Sequence, residues 1–289
     1  MKTILTSAIS LAMLLGSCAI SVSSEAKEGI VPSKNYITQK VKVDHFEGIS
    51  TSTSIDVVYT QTTNDTSVEI YAPDNLMEYV KVETEGGILK IGFQSKEKGK
   101  GLNIKGRHET KVYVSAPAVH TLLASSSGDI VLKNGLQYAG KVIMGTSSSG
   151  DIEGENVVCE TLDIEASSSG DIDLEKVECT SLLAEASSAG DISIKDIKAE
   201  TINAEASSSG DVSLSGVCHS AKFEASSAGD IEADNLKADK VKAEASSAGD
   251  VKCHATESLE ASASSAGNVH YKGNPKQKLS KSKGLHKIN

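Results

Sequence analysis

The sequence contains no tryptophan and only three phenylalanines, and aromatic residues make up 3% of its 289 residues. This scarcity excludes a globular core built on large aromatic side chains and leaves no tryptophan platform for stacking sugar rings. Positive charge is also short: 29 Lys and Arg against 39 Asp and Glu give a formal net charge of −10, so we expect no nucleic-acid partner. The hydrophobic residues, 38% of the chain, are mainly Val, Ile, Leu and Ala, which favour stacked strands.

The N-terminal residues predict export. A basic start precedes an apolar stretch from Ile4 to Leu15 that is too short to span a bilayer, so residues 1–17 are predicted as a signal peptide. The stretch ends in Leu-Gly-Ser-Cys18, which resembles the lipobox of bacterial lipoproteins and implies a lipidated Cys18. Residues 18–38 would then tether the folded body to the outer membrane, on its periplasmic or cell-surface side. The alternative is an ordinary signal peptide in which Cys18 is incidental.

A six-residue motif, Ser-Ser-(Ser/Ala)-Gly-(Asp/Asn)-(Ile/Val), occurs eight times at intervals of 18 to 22 residues. Regular self-similarity of this kind indicates a solenoid. Apolar residues alternate within each period, as they do in strands, and three short strands fill one period. We therefore predict an all-β, right-handed, single-stranded parallel β-helix of about eight coils over residues 122–271. Its turns would be formed by Gly128, Gly150, Gly170, Gly190, Gly210, Gly229, Gly249 and Gly267.

Stacked coils place equivalent residues in columns, which predict the side chains that point inward. The residue two after each glycine is always Ile or Val, and the residue four before it is Ala in seven copies and Thr146 in the other. Both columns are predicted to be buried. Each glycine is predicted to take a backbone angle closed to other residues, at a corner of its coil.

The segments that flank the repeat differ from it in composition. Residues 39–121 lack the motif but contain strand-like stretches and a Glu85-Gly86-Gly87 hairpin signal, so they are predicted as a strand-rich N-terminal cap. Residues 272–289 carry six lysines and no acidic residue. They are predicted as a basic tail that either blocks further edge pairing or is disordered. Binding of this tail to anionic lipid or polysaccharide is a further alternative.

Several features together resemble a known family. They are the strands with Phe46 and Asp56-Val57, the Asp74–Leu76 turn, the Gly86–Leu89 stretch and the Ser-Gly-Asp coils. These resemble the putative auto-transporter adhesin, head GIN domain family, over roughly residues 39–269. The resemblance implies a right-handed β-helix in an exported protein of Gram-negative bacteria. It supplies no catalytic residues, and we expect no cofactor.

Acidic residues recur in two columns of the predicted solenoid. Carboxylates stacked about 5 Å apart repel by roughly 1 kcal/mol in water. In one interpretation each Asp is held by local N–H and serine hydroxyl groups; in the other, Asp151, Asp171, Asp191, Asp211 and Asp230 bind divalent cations or another ligand. Serine columns beside them either stabilise the stack or bind a glycan or protein. The Asp column also includes Asp129 and Asp250 and ends at Asn268, and the second column is Glu165, Glu185, Glu205, Glu224 and Glu244.

Four cysteines follow Cys18. Three of them share a column with alanines, which predicts small buried side chains. A disulfide between Cys159 and Cys179 is the alternative, although directly stacked strands give poor geometry for it. The neighbours Cys218-His219 and Cys253-His254 are only a weak zinc signal, because they lack the Cys-x-x-Cys spacing, and we expect no metal site. The column holds Cys159, Cys179, Ala199, Cys218 and Ala238.

These patterns predict a non-enzymatic binding module of the cell envelope, with a glycan or protein ligand and membrane contact through the lipid anchor, and the family resemblance implies that the module is adhesin-like. One alternative is a structural stalk that self-associates through its ends. Another is a polysaccharide-active enzyme, which would need a non-repeated pair of acids in a cleft. Acids that recur in every coil favour the binding module over the enzyme.

Overall fold

The computed structural model describes residues 29–63, 65–96, 101–279 and 284–288. The predicted signal peptide and Cys18 lie outside these residues. No helix in the described part of the chain is long and apolar enough to cross a membrane. A 3-10 helix spans Met77–Tyr79, and all other regular elements are strands.

The strands before the repeat are β1 (Tyr36–Val41), β2 (Gly48–Thr51), β3 (Asp56–Gln61), β4 (Ser67–Pro73), β5 (Val80–Glu85), β6 (Ile88–Phe93) and β7 (Lys111–Ala116). The repeat region contains β8 (Thr121–Ser125), β9 (Ile130–Leu132), β10 (Leu136–Gln137), β11 (Lys141–Ser147), β12 (Ile152–Val158), β13 (Thr161–Ala166), β14 (Ile172–Glu178), β15 (Ser181–Ala186), β16 (Ile192–Ala206), β17 (Val212–Ala225), β18 (Ile231–Ala245), β19 (Asp250–Ala263) and β20 (Asn268–Lys272). Two strands follow, β21 (Lys276–Leu279) and β22 (Leu285–Lys287).

The strands of the repeat stack in parallel, one coil on the next. Strand β13 pairs with β15 and β15 with β16, so that Ala166, Ala186 and Ala206 lie side by side, as the motif requires. On another side of the coil, β12 pairs with β14 and β14 with β16. The predicted β-solenoid of about eight coils is therefore confirmed.

The two columns predicted to be buried form the core of the solenoid. The column of Ile and Val that follows the glycines, from Ile130 to Val269, has at most 1% of its surface exposed at any member. The alanine column is buried as well, and in the exceptional copy the hydroxyl of Thr146 donates to the carbonyl of Gly170 at 2.9 Å. Thr146 can thus replace alanine because its hydroxyl has a partner in the next coil.

The turn in each motif corrects the prediction about the glycine backbone. In the turn Ser167–Gly170 the amide of Gly170 donates to the carbonyl of Ser167 at 3.1 Å, but the left-handed residue is Ser168, with φ 65°. Gly170 has no positive φ. A Cβ at Gly170 would lie only 2.6 Å from the carbonyl oxygen of Gly150 in the coil beneath it. Glycine is needed here because adjacent coils approach closely, not because of a special backbone angle.

The N-terminal segment contains a ninth copy of the turn, whose sequence departs from the motif. Thr53 and Ser54 have φ values of 62° and 61°, like the two serines of the first recognised turn. The strands on either side, β2 and β3, pair in parallel with β8 and β9. Ile55 occupies the position of the glycine and is completely buried. The solenoid therefore begins inside the segment predicted as the cap.

The remaining N-terminal strands cover the first coil. Strands β6 and β7 pair in parallel with β2 and β3, respectively, on the side away from the repeat. Antiparallel strands then close the end: β5 pairs with β6, and β4 lies between β7 and β1. The predicted hairpin is confirmed, since Gly86 and Gly87, with φ values of 60° and 79°, connect β5 to β6.

The C-terminal tail is ordered where the structure describes it, which corrects the prediction of a disordered or non-pairing segment. Strand β21 pairs in parallel with β19, and β22 pairs in parallel with β20. These two strands add a partial coil to the end of the solenoid.

Candidate functional site

The aspartates of the motif form a continuous hydrogen-bonded column. The Oδ1 atom of each aspartate accepts a hydrogen bond from the backbone N–H of the equivalent residue in the next coil, at 2.9–3.0 Å. The donor is a backbone N–H, as one of the two interpretations held, but it belongs to the neighbouring coil rather than to the same turn. The bonded residues, in order, are Asp129, Asp151, Asp171, Asp191, Asp211, Asp230, Asp250 and Asn268.

Both ends of this aspartate column carry neutralising groups. Asp56, in the missed copy of the motif, lies beside Asp129 in the register of β3 and β9, and Lys111 lies opposite Asp56 on β7. At the other end, Asn268 donates its backbone N–H and its Nδ2 to Asp250, at 3.0 and 2.8 Å. The dipeptide Asp56-Val57 after a run of Ser and Thr was the signal for the extra member.

The surroundings of several of these aspartates raise their pKa. Partial burial raises the pKa of Asp129, Asp171 and Asp211, and neighbouring carboxylates raise it further. The N–H bond accepted by each carboxylate lowers the pKa and partly offsets these effects. Burial, followed by the charge of Asp129, also raises the pKa of Asp56. The repulsion within the column is thus reduced but not removed by the hydrogen bonds.

The aspartate column borders a shallow groove of about 380 Å³. Asp171, Asp191, Asp211 and Asp230 line it together with Ser193 and Ser213. Among the described residues, no group of three or more His, Cys, Asp and Glu side chains is arranged to hold a metal ion. The spacing of one carboxylate per coil supplies a row of hydrogen-bond acceptors rather than a converging coordination sphere.

The glutamate column lies in a second groove, also of about 380 Å³. Its members stack in register from Glu165 to Glu244, and a parallel column of serines lines the other wall. Burial raises the pKa of Glu165 and Glu185. Further along, Lys222 and Lys242 form ion pairs with the glutamates on their own strands, at 2.8 and 2.6 Å. We call this the Glu/Ser groove; one of its ends is acidic and the other is ion-paired.

The cysteines are packing residues. The four described cysteines are free thiols, and Cys159, Cys218 and Cys253 are buried while Cys179 is half-buried. Burial raises the pKa of Cys159 to about 11 and that of the other three to about 12, so none is a reactive thiolate at neutral pH. The expectation of small, largely buried side chains is confirmed.

The Cys-His neighbours do not form metal sites. Adjacent residues of a strand point to opposite faces. Cys218 is therefore buried in the core, whereas His219 is exposed and its Nδ1 lies 3.0 Å from Oδ2 of Asp239. The same alternation separates the buried Cys253 from His254.

The chain matches a known protein family over most of its folded part. A sequence model of the family described as "Putative auto-transporter adhesin, head GIN domain" matches residues 45–175 and 173–275. A search of curated protein sequences finds no match.

Several solved structures share the fold. A putative adhesin from Parabacteroides distasonis ATCC 8503 is 21% identical, with a TM-score of 0.69 over 90% of this chain and 100% of that one. A putative adhesin from Parabacteroides merdae ATCC 43184 is 19% identical, with a TM-score of 0.66 over 90% and 99%. A putative lipid binding protein from Parabacteroides distasonis ATCC 8503 is 24% identical, with a TM-score of 0.64 over 91% and 100%.

Proposed function

Because the chain belongs to the putative auto-transporter adhesin, head GIN domain family, we propose that it is a non-enzymatic, adhesin-like binding module of the cell envelope. The proposal includes export through the signal peptide, lipidation of Cys18 and attachment to the outer membrane of a Gram-negative bacterium. The apolar stretch ending in Leu-Gly-Ser-Cys18 supports this location.

The observation that carries the proposal is the register of the Glu/Ser groove. From Glu165 to Glu244 each coil presents the same carboxylate beside the same serine hydroxyl, about 4.8 Å from the next pair. A ligand with a repeating unit would meet the same acceptors at every step. The chemistry favours a polymer rich in hydroxyl or amino groups, because carboxylates accept strong hydrogen bonds from both. A glycan fits this description best.

Immobilised polysaccharides, both neutral and amino-sugar-containing, provide the test. Replacing Glu165, Glu185 and Glu205 with Gln removes three charges from the Glu/Ser groove and keeps the shape of its side chains. We expect binding to fall by about tenfold or more, as for loss of charge-assisted hydrogen bonds. The matched control replaces Glu153, Glu155 and Glu175, which are exposed on another face, with Gln.

The two variants separate specific from general electrostatic binding. The control should bind within about twofold of the unmodified protein, since its groove is intact. Equal losses in both variants would show that only net charge matters, and the groove would not be the site. Failure of the unmodified protein to bind any polysaccharide would remove the glycan from the proposal.

A self-associating stalk is the second candidate, and the last coil favours it. Strand β22 pairs with β20 on one side, and among the described residues no strand pairs with its other edge. Open edges of this kind can recruit a second chain. Sedimentation equilibrium distinguishes the candidates, because a monomer at micromolar concentration contradicts the stalk and leaves the binding module intact.

A further inference from the structure

The outer sheet face of the cap carries a cluster of aromatic and apolar side chains. Tyr113 on β7 pairs with Val58 on β3, which in turn pairs with Val131 on β9. On the other side of β7, the rings of Tyr71 and Tyr36 stack with centroids 5.1 Å apart. We call these five residues the tyrosine patch. Tyr113 is 43% exposed, so the patch is open to solvent.

The tyrosine patch contrasts with the surface of the repeat. Four large hydrophobic residues are strongly exposed in the described chain, and three of them, Val31, Ile37 and Tyr113, belong to the N-terminal end. The fourth, Val217, stands alone in the repeat. Of the other three, Tyr113 belongs to the tyrosine patch, whereas Ile37 follows Tyr36 on β1 and faces the other side of the sheet. The patch groups three tyrosines on one face, and tyrosine suits an interface between an apolar phase and water.

Charge divides the molecule in the same way. Residues 29–121 contain eleven basic and eleven acidic residues and are neutral overall. Residues 122–271 contain 26 acidic and 10 basic residues, and 10 − 26 leaves a net charge of −16. Lys40 and Lys111 lie on the strands that carry the tyrosine patch, where they form ion pairs with Glu69 and Glu109 at 3.1 and 2.6 Å, so the patch carries no net charge of either sign. An anionic surface would therefore repel the repeat but not the cap.

The chain enters the fold at this same end. Ile30 forms a bridge with Ile104, and the carbonyl of Val31 accepts a hydrogen bond from Asn75 Nδ2 at 2.9 Å. The ten residues from 19 to 28 can span at most about 35 Å. The last coils lie about 40 Å beyond the cap, because each coil adds about 4.8 Å. An anchor at Cys18 thus holds the cap close to the bilayer.

From these observations we infer that the tyrosine patch docks the cap on the headgroup region of the bilayer that holds lipidated Cys18. The acidic coils are kept off the surface by their charge, which leaves the Glu/Ser groove accessible. This inference rests on the proposed lipid anchor. It adds a second membrane contact, and the orientation of the molecule follows from that contact.

The absence of tryptophan makes the inference directly measurable. Tyr113→Trp and Val217→Trp each introduce one fluorescent reporter at an exposed apolar position, the first in the tyrosine patch and the second in the repeat. The full lipidated protein is reconstituted into phosphatidylethanolamine/phosphatidylglycerol vesicles with brominated acyl chains. We expect the tryptophan at 113 to shift to shorter wavelength and to be quenched several-fold more than the one at 217. Adding Tyr36→Ser and Tyr71→Ser should abolish this difference.

Flotation tests the lipid anchor, and quenching tests the docking of the tyrosine patch. Equal quenching at positions 113 and 217 in protein that floats with the vesicles would overturn docking and leave the anchor standing. Flotation of Cys18→Ala at the level of the unmodified protein would overturn the lipid anchor. Protein that never floats would overturn both. Retained quenching at 113 in the Tyr36→Ser/Tyr71→Ser variant would show that the tyrosine patch is not the contact.

Discussion

The first coil of the solenoid and the coils that follow make the same turn with different residues. In the first coil Ile55 occupies the position held by glycine in every later copy, and it is completely buried. The carbonyl of Gly150 lies beneath Gly170. Beneath the first coil, strand β6 ends at Phe93, and in the described part of the chain no further turn of the motif stacks under Ile55. The glycine is therefore a requirement of stacking, and where stacking ends, a large apolar side chain fills the space.

The largest effect is expected when a side chain is placed between two stacked turns. In Gly170→Val the new Cβ would lie 2.6 Å from the carbonyl oxygen of Gly150 and 2.8 Å from the amide nitrogen of Ser147. Because strands on both sides hold the backbone, the free energy of unfolding should fall by about 3 kcal/mol or more. Urea denaturation followed by circular dichroism measures this change.

Ser169→Ala is the matched control in the same turn. Four other copies of the motif already carry alanine at this position, and Ser169 is exposed, so its free energy of unfolding should change by less than about 0.5 kcal/mol. An unfolding midpoint for Gly170→Val that equals that of the control would contradict the close approach of the coils.

The reverse replacement sharpens the comparison. Ile55→Gly restores the consensus motif, yet it deletes a completely buried side chain at the end of the solenoid. We expect the free energy of unfolding to fall by about 3 kcal/mol, within the range for large-to-small changes in a core. The same denaturation experiment provides the measurement. A gain in stability would mean that the turn itself prefers glycine, whatever lies beneath it.

The repeat could be predicted from the sequence because its columns are composed of single residue types. Eight Ile or Val residues at one motif position left little choice about which side faces inward. The reason for the glycine could not be predicted, since a positive φ and a close approach select the same residue. The structure assigns the positive φ to a serine, which tolerates the left-handed region less well than glycine.

The first coil and the last were missed for different reasons. Ile55 breaks the motif, and the cap strands from β4 to β7 separate it from Gly128 by far more than one period. The last coil lacks the motif altogether, and its lysines suggested a tail. Its pairing depends on the exposed edge of β20, which is a property of the folded neighbour rather than of the segment itself. The same holds for the candidate site. The columns of Asp and Glu could be predicted from the repeat, but the hydrogen bonds between coils could not, because they depend on how neighbouring coils pack.

The smallest effect concerns the aspartate column that runs along the coils of the repeat. The folded-state pKa of Asp171 is raised, chiefly by burial, so its charged form is disfavoured in the folded protein. A raised carboxyl pKa contributes stability that is present below the unfolded pKa and is lost as the pH rises through the folded pKa. Asp171→Asn keeps the oxygen that accepts from the amide of Asp191 but carries no charge.

We therefore expect Asp171→Asn to be as stable as the unmodified protein or slightly more stable at pH 7, with the advantage disappearing as the pH falls towards 4. Surface carboxyls whose pKa is lowered by ion pairs, such as Asp234 and Glu178, oppose this trend in both proteins. For that reason the quantity to compare is the difference between the two unfolding free energies at each pH. Asp171→Ala removes the acceptor as well and should be less stable than Asp171→Asn at every pH. If the difference between the unmodified protein and Asp171→Asn does not change with pH, burial does not perturb this carboxylate, and the hydrogen bond from the next coil is sufficient to hold its charge.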